Sequence, residues 1–101
     1  MSAKPTLPSQ LPDPGNVREV LAYWMRVLRV EKGWSQERLG LECELDRTYV
    51  SAVERCRWNV SLANIERIAV ALGVEPWTLL KPPEPARKPA RKSVRSSPAK
   101  S

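Results

Sequence analysis

Asp46-Arg47-Thr48-Tyr49-Val50-Ser51-Ala52-Val53-Glu54-Arg55 has two unlike faces when wound as a helix. Tyr49, Val50 and Val53 fall where they can pack inward, whereas Arg47, Thr48, Ser51, Ala52 and Arg55 point elsewhere. The second set is short, polar and hydrogen-bonding toward the N-terminal end, the chemistry that reads base edges in a DNA major groove. Just upstream, Trp34-Ser35-Gln36-Glu37-Arg38-Leu39 opens another short helix, with Ser35 as its N-cap between two apolar residues in staple spacing. Only Glu44, Leu45 and Asp46 separate the two, a turn short enough to hold them at a steep angle as a helix-turn-helix unit.

The same grammar extends in both directions. Val17, Leu21, Trp24 and Leu28 share one helical face behind the N-cap Asn16, with Glu19 at the third helical position and Lys32-Gly33 as the stop. Leu45-Asp46 with Val50, Val60-Ser61 with Ile65, and Val74-Glu75 with Leu79 repeat the staple. Pro76 takes the first position of the last segment, and Pro82-Pro83 closes it. The spacing predicts helices near 16–32, 36–43, 47–56, 62–72 and 76–80 and no strand, an all-α fold of five helices.

Nine of the ten prolines lie outside residues 16–81, so residues 1–15 and 81–101 read as disordered arms around one domain at 16–80. Charge divides in the same way. The domain is neutral, with nine basic and nine acidic residues, and the +6 excess follows Leu80, where seven basic residues face only Glu84. The tail is the element that seeks an electrostatic partner, while choice among sequences falls to single side chains in the domain. Phosphate tracking and simple solubilisation are both open to the tail's Ala-Arg-Lys-Pro-Ala-Arg-Lys repeat.

The chain has no histidine, hence no Ser-His or Cys-His pair and no His-ligated zinc. Its acidic residues are scattered, so neither catalysis, a metal, a cofactor nor a small-molecule substrate is expected. Cys43 and Cys56 read as small buried residues inside helices. No apolar run approaches the roughly 18 residues of a membrane span and the N-terminus has no signal-like stretch, so the expected location is the cytoplasm.

The run Ser35-Gln36-Glu37-Arg38-Leu39, then Asp46-Arg47-Thr48-Tyr49-Val50-Ser51, Val53-Glu54-Arg55, Asn59-Val60-Ser61-Leu62 and Ile68-Ala69-Val70-Ala71-Leu72-Gly73-Val74 resembles the Xre/Cro family of phage repressors. Arg-Thr-Tyr-Val-Ser with Asn-Val-Ser-Leu downstream is most similar to the controller proteins of restriction-modification systems. The resemblance covers residues 17–80. It implies a sequence-specific transcription regulator that dimerises through its last helices and binds a paired site on double-stranded DNA.

Carried over by position, Arg47, Thr48, Ser51 and Ala52 would face bases. Gln36, at a helix N-terminus whose free amides attract phosphate, would hold the backbone with Arg55, Arg57 and Asn59. Trp77, Leu79 and Leu80 form either a cap on the core or a dimer contact, and the resemblance implies the second. Glu54 reads as structural, paired with an arginine or a free amide. Trp24 and Trp34 read as core, and Trp58 is open to a place near the DNA backbone or against the fourth helix.

Four positions depart from the family pattern: Glu44 where glycine is usual in the turn, Gly40 where alanine is usual inside the second helix, Cys56 where glycine is common after Glu-Arg, and Trp58 where a basic residue is frequent. The first two each weaken the fold by about 1 kcal/mol on this reading. A DNA-binding antitoxin or a protein-interaction adaptor on the same fold is the alternative, with the tail folding onto a partner.

Overall fold

The computed structural model describes Pro8 and residues 10–84. The expectations for residues 85–101 and for most of 1–9 lie outside the described residues. Within them the chain forms α1 (Val17–Glu31), α2 (Gln36–Cys43), α3 (Arg47–Glu54) and α4 (Leu62–Leu72), followed by a 3₁₀ helix, Pro76–Leu80. The described residues contain no strand.

Each α-helix starts on the residue whose side chain suits it. Asn16, Ser35, Asp46 and Ser61 accept hydrogen bonds from the backbone N–H groups of Glu19, Arg38, Thr48 and Asn64. Such caps satisfy donors the first turn leaves free, and each is worth about 1 kcal/mol. Asp13 adds to the first: its backbone N–H donates to Glu19 Oε1 at 2.9 Å, tying the segment before Asn16 to α1.

The fifth element is 3₁₀ rather than α-helical. Five residues between Glu75 and Lys81, with Pro76 lacking an N–H, leave no room to propagate an i→i−4 ladder. Thr78 N–H closes on Glu75 O at 2.9 Å instead. α3 ends two residues earlier than the spacing predicts, because Cys56 takes a left-handed conformation at φ 61°.

The core is a single cluster. Leu21 and Met25 of α1, Leu39 and Cys43 of α2, Val50 and Val53 of α3, and Ile65, Ile68, Ala69 and Leu72 of α4 meet around Leu79 of the 3₁₀ helix. Trp24, Leu28 and Trp34 pack against this cluster half-buried, whereas Val17 is exposed, so the inward stripe of α1 begins at Val20. Cys43 donates its thiol to Leu39 O at 3.0 Å, and burial pushes its pKa above the ordinary thiol value.

Two departures from the family pattern prove to be linked by geometry. Glu44 sits at φ 61°, the left-handed turn between α2 and α3, and that turn returns Leu45 N–H to Gly40 O at 2.8 Å. A Cβ at residue 40 would stand 2.6 Å from the Leu45 carbonyl oxygen. Gly40 is therefore a close-approach glycine that lets the turn sit on α2, and not a simple loss of helix propensity.

Candidate nucleic-acid interface

At about 100° per residue, Arg47, Ser51 and Thr48 occupy one continuous arc of α3, which the C-cap residue Arg55 prolongs. All four are exposed or half-exposed and lie opposite the buried Val50 and Val53. Ala52 falls just past the edge of that arc and is only 4% exposed, so its methyl is closed off within the domain. The expectation that Ala52 faces bases is corrected: a helical wheel places it on a border that tertiary packing decides.

The N-terminus of α2 lies alongside. Gln36 is the first residue of α2 and is half-buried. Its Nε2 donates to Glu54 Oε1 at 3.1 Å. Because a carboxylate only accepts, the amide nitrogen is the atom that must face it. Glu54 also takes a bidentate pair from Arg29, Nε to Oε2 at 2.8 Å and Nη2 to Oε1 at 2.9 Å, with its own side chain 0% exposed. Arg26 stands 3.6 Å from the same Oε1. Glu54 is thus both things expected of it, the partner of an arginine and of an amide.

Beyond α3, Arg55, Arg57 and Asn59 are exposed on the way to α4. Asn59 Oδ1 accepts from Arg18 Nη1 at 3.4 Å, which brings the start of α1 to this loop. Arg18 escaped the sequence reading because its partner lies 41 residues away and no local pattern marks it. Trp58 stands 5.6 Å from the Tyr49 ring at a tilt of 47°, and Tyr49 in turn accepts at its hydroxyl from Asn64 Nδ2 of α4 at 3.0 Å. Trp58 therefore leans on α3 and keeps nearly half its surface open, 47%. Burial raises the pKa of Cys56, Glu19 reinforces the rise and Arg18 opposes it.

In the 3₁₀ helix Trp77 is 67% exposed, Leu80 is half-buried, and Leu79 is fully buried at 0%. Leu79 is therefore a core residue and not an interface one, a correction that also has a reason: one turn of 3₁₀ helix can face inward and outward at once. Trp24 Nε1 donates to Lys81 O at 2.7 Å and fixes the chain as it leaves this helix. Among the described residues no group of three or more potential metal ligands occurs, and no helix is long and apolar enough to cross a membrane.

Two short helices across a left-handed turn, the second presenting a polar arc and the first its N-terminus beside it, define the helix-turn-helix class of DNA-binding transcription regulators. The chain belongs to the helix-turn-helix domain family, whose sequence profile matches residues 21–79.

Its relatives are regulators too. It is 62% identical over 84 residues to a Neisseria hypothetical transcription factor of Neisseria meningitidis serogroup B, a match covering 83% of this chain and 79% of that one. The crystal structure of hypothetical transcription factor NHTF from Neisseria superposes with a TM-score of 0.78 at 64% identity, over 79% of this chain and 90% of the other. Control protein C.BamHI of Bacillus amyloliquefaciens is 50% identical over 66 residues, 64% of this chain and 82% of its own. A variant of C.Esp1396I bound to its highest affinity operator site is similar with a TM-score of 0.57 at 30% identity, over 62% of this chain and 83% of that one.

Proposed function

We propose that this protein is a sequence-specific transcription regulator that binds a two-fold symmetric operator as a homodimer, with α3 of each protomer in the major groove. The observation that carries the reading is the arc of Arg47, Thr48, Ser51 and Arg55 set beside the N-terminus of α2, with the core closed behind it. Arg47, in the first turn, reads a base edge, and Thr48 and Ser51 supply shorter contacts. Gln36, Arg55, Arg57 and Asn59 hold phosphates, and Arg18 joins them through Asn59. Exposed Trp77 and half-buried Leu80 form the dimer contact, and a relative bound to an operator site supports DNA as the ligand.

On this reading residues 16–80 are the DNA-binding domain, acting in the cytoplasm, and the basic residues after Leu80 add sequence-independent attraction. Selection of bound sequences from a random DNA pool, followed by footprinting, tests it. Two inverted half-sites about 34 Å apart are expected. A single unrepeated site would overturn the dimeric reading, and no selected sequence at all would overturn the whole.

A further inference from the structure

Glu54 does more than close a buried ion pair. Its Oε1 is the acceptor for Gln36 Nε2 at 3.1 Å, so the last residue of the recognition helix holds the first side chain of the preceding helix. Arg29, the partner of Glu54, donates its remaining Nη1 to Trp34 O at 2.9 Å, in the segment that leads into the Ser35 cap. The entry to α2 is thus fixed from two sides by one buried pair, through its backbone by Arg29 and through its first side chain by Glu54.

The charge arrangement suits a neighbouring anion. A bare carboxylate so close to a phosphate would repel it, but this one is matched by Arg29 and approached by Arg26 at 3.6 Å, which leaves the cluster net positive. An amide carries two N–H donors. With one held by Glu54, the other has a fixed direction, and the rotamer freedom that Gln36 would lose on gripping a phosphate is already spent in the free protein.

We propose that Glu54 is a positioning residue for DNA binding: through its hydrogen bond to Nε2 it orients Gln36 toward the phosphate, and through its place at the end of α3 it sets that grip in register with the base-reading arc. This rests on the operator-binding reading above. It adds that the contact of Gln36 has value only while Glu54 holds it.

The test uses the full chain and two probes. Removing the carboxylate alone would strand Arg29, so the pair is replaced together by apolar residues of similar volume, Arg29→Met with Glu54→Leu, an exchange that buried ion pairs tolerate. In the free native protein the side-chain amide resonance of Gln36 should be resolved and its protons slowed in exchange, and in the replaced pair it should collapse to the position of an exposed amide. Against the selected operator, Gln36→Ala should weaken the native chain roughly ten- to a hundredfold, the loss of one hydrogen bond to a charged group.

In the replaced background Gln36→Ala should change affinity less than twofold. An undiminished effect there would overturn the positioning role. So would an exposed-like amide resonance in the native protein, which is measured without DNA and stands apart from any failure of operator binding. If the replaced pair is poorly folded, the amide measurement on the free native protein decides alone, with slowed Gln36 side-chain exchange expected and the rate of an exposed amide counting against the proposal.

Discussion

The four α-helices end in two different ways, and the division follows function. α1 and α4 stop on glycines, Gly33 at φ 76° and Gly73 at φ 77°, where the left-handed conformation costs almost nothing. The two helices of the recognition unit make the same turn on Glu44 and Cys56, both at φ 61°, where a Cβ is penalised by about 1–2 kcal/mol. The frame is built from relaxed stops and the unit it carries from strained ones. Neighbours hold the turns against that strain: Gly40, whose carbonyl takes the Leu45 N–H, at the first, and the backbone of Arg18 and the Arg57 N–H on Ala52 O at the second.

The largest expected effect breaks the link between unit and frame. Glu54→Ala leaves Arg29 buried with no counter-charge, and one-sided loss of a buried pair destabilises by about 3–5 kcal/mol. A urea titration followed by tryptophan fluorescence measures this, and a loss below 1 kcal/mol would show that water reaches Arg29 readily. Arg47→Ala should by contrast leave the midpoint of that titration in place, since its side chain is exposed on the outer arc. It should reduce affinity for the selected operator by about 1–3 kcal/mol and relax preference at one base position. An equal loss on every sequence would make Arg47 a phosphate contact.

Gly40→Ala probes the turn itself. In an ordinary helix interior the exchange stabilises by about 1 kcal/mol. Here the new Cβ would come to 2.6 Å of the Leu45 carbonyl, and backbone cannot yield as a side-chain tip can. A net loss of about 1–2 kcal/mol is expected, with the sign reversed by overpacking. A gain in the same urea titration would mean that α2 and α3 separate at little cost.

What could be read in advance was whatever is settled within four or five residues. The caps at Asn16, Ser35, Asp46 and Ser61 belong to that kind, because the accepting side chain and the amide it serves are neighbours in the chain. Spacing and resemblance put Ala52 and Leu79 on the wrong face, because each sits where an element turns from one face to the other and only the packed partner decides which face wins. Glu54 was recognisable as structural, yet the choice of Arg29 from among nine basic residues of the domain needs the crossing of α1 over α3. The Arg18–Asn59 contact left no local trace for the same reason. Distance along the chain, rather than chemical subtlety, separates the legible part of the site from the rest.

The smallest effects sharpen the comparison between stops. Glu44→Gly relieves the left-handed Cβ, about 1–2 kcal/mol, and returns part of it through the greater freedom of glycine in the unfolded chain, about 0.5–1 kcal/mol. It also loses the Arg67 contact at 3.5 Å, but with side chains 51% and 81% exposed that pair adds little. The net is a gain of up to about 1 kcal/mol. Cys56→Gly relieves the same conformation, yet removes a half-buried thiol that lies 3.6 Å from Arg18 O, so its gain should be the smaller of the two. Parallel thermal melts of the two variants should place Glu44→Gly a few degrees above the native chain and Cys56→Gly between them. If neither moved, the left-handed turns would be carrying no strain, and the contrast between a relaxed frame and a strained recognition unit would fail.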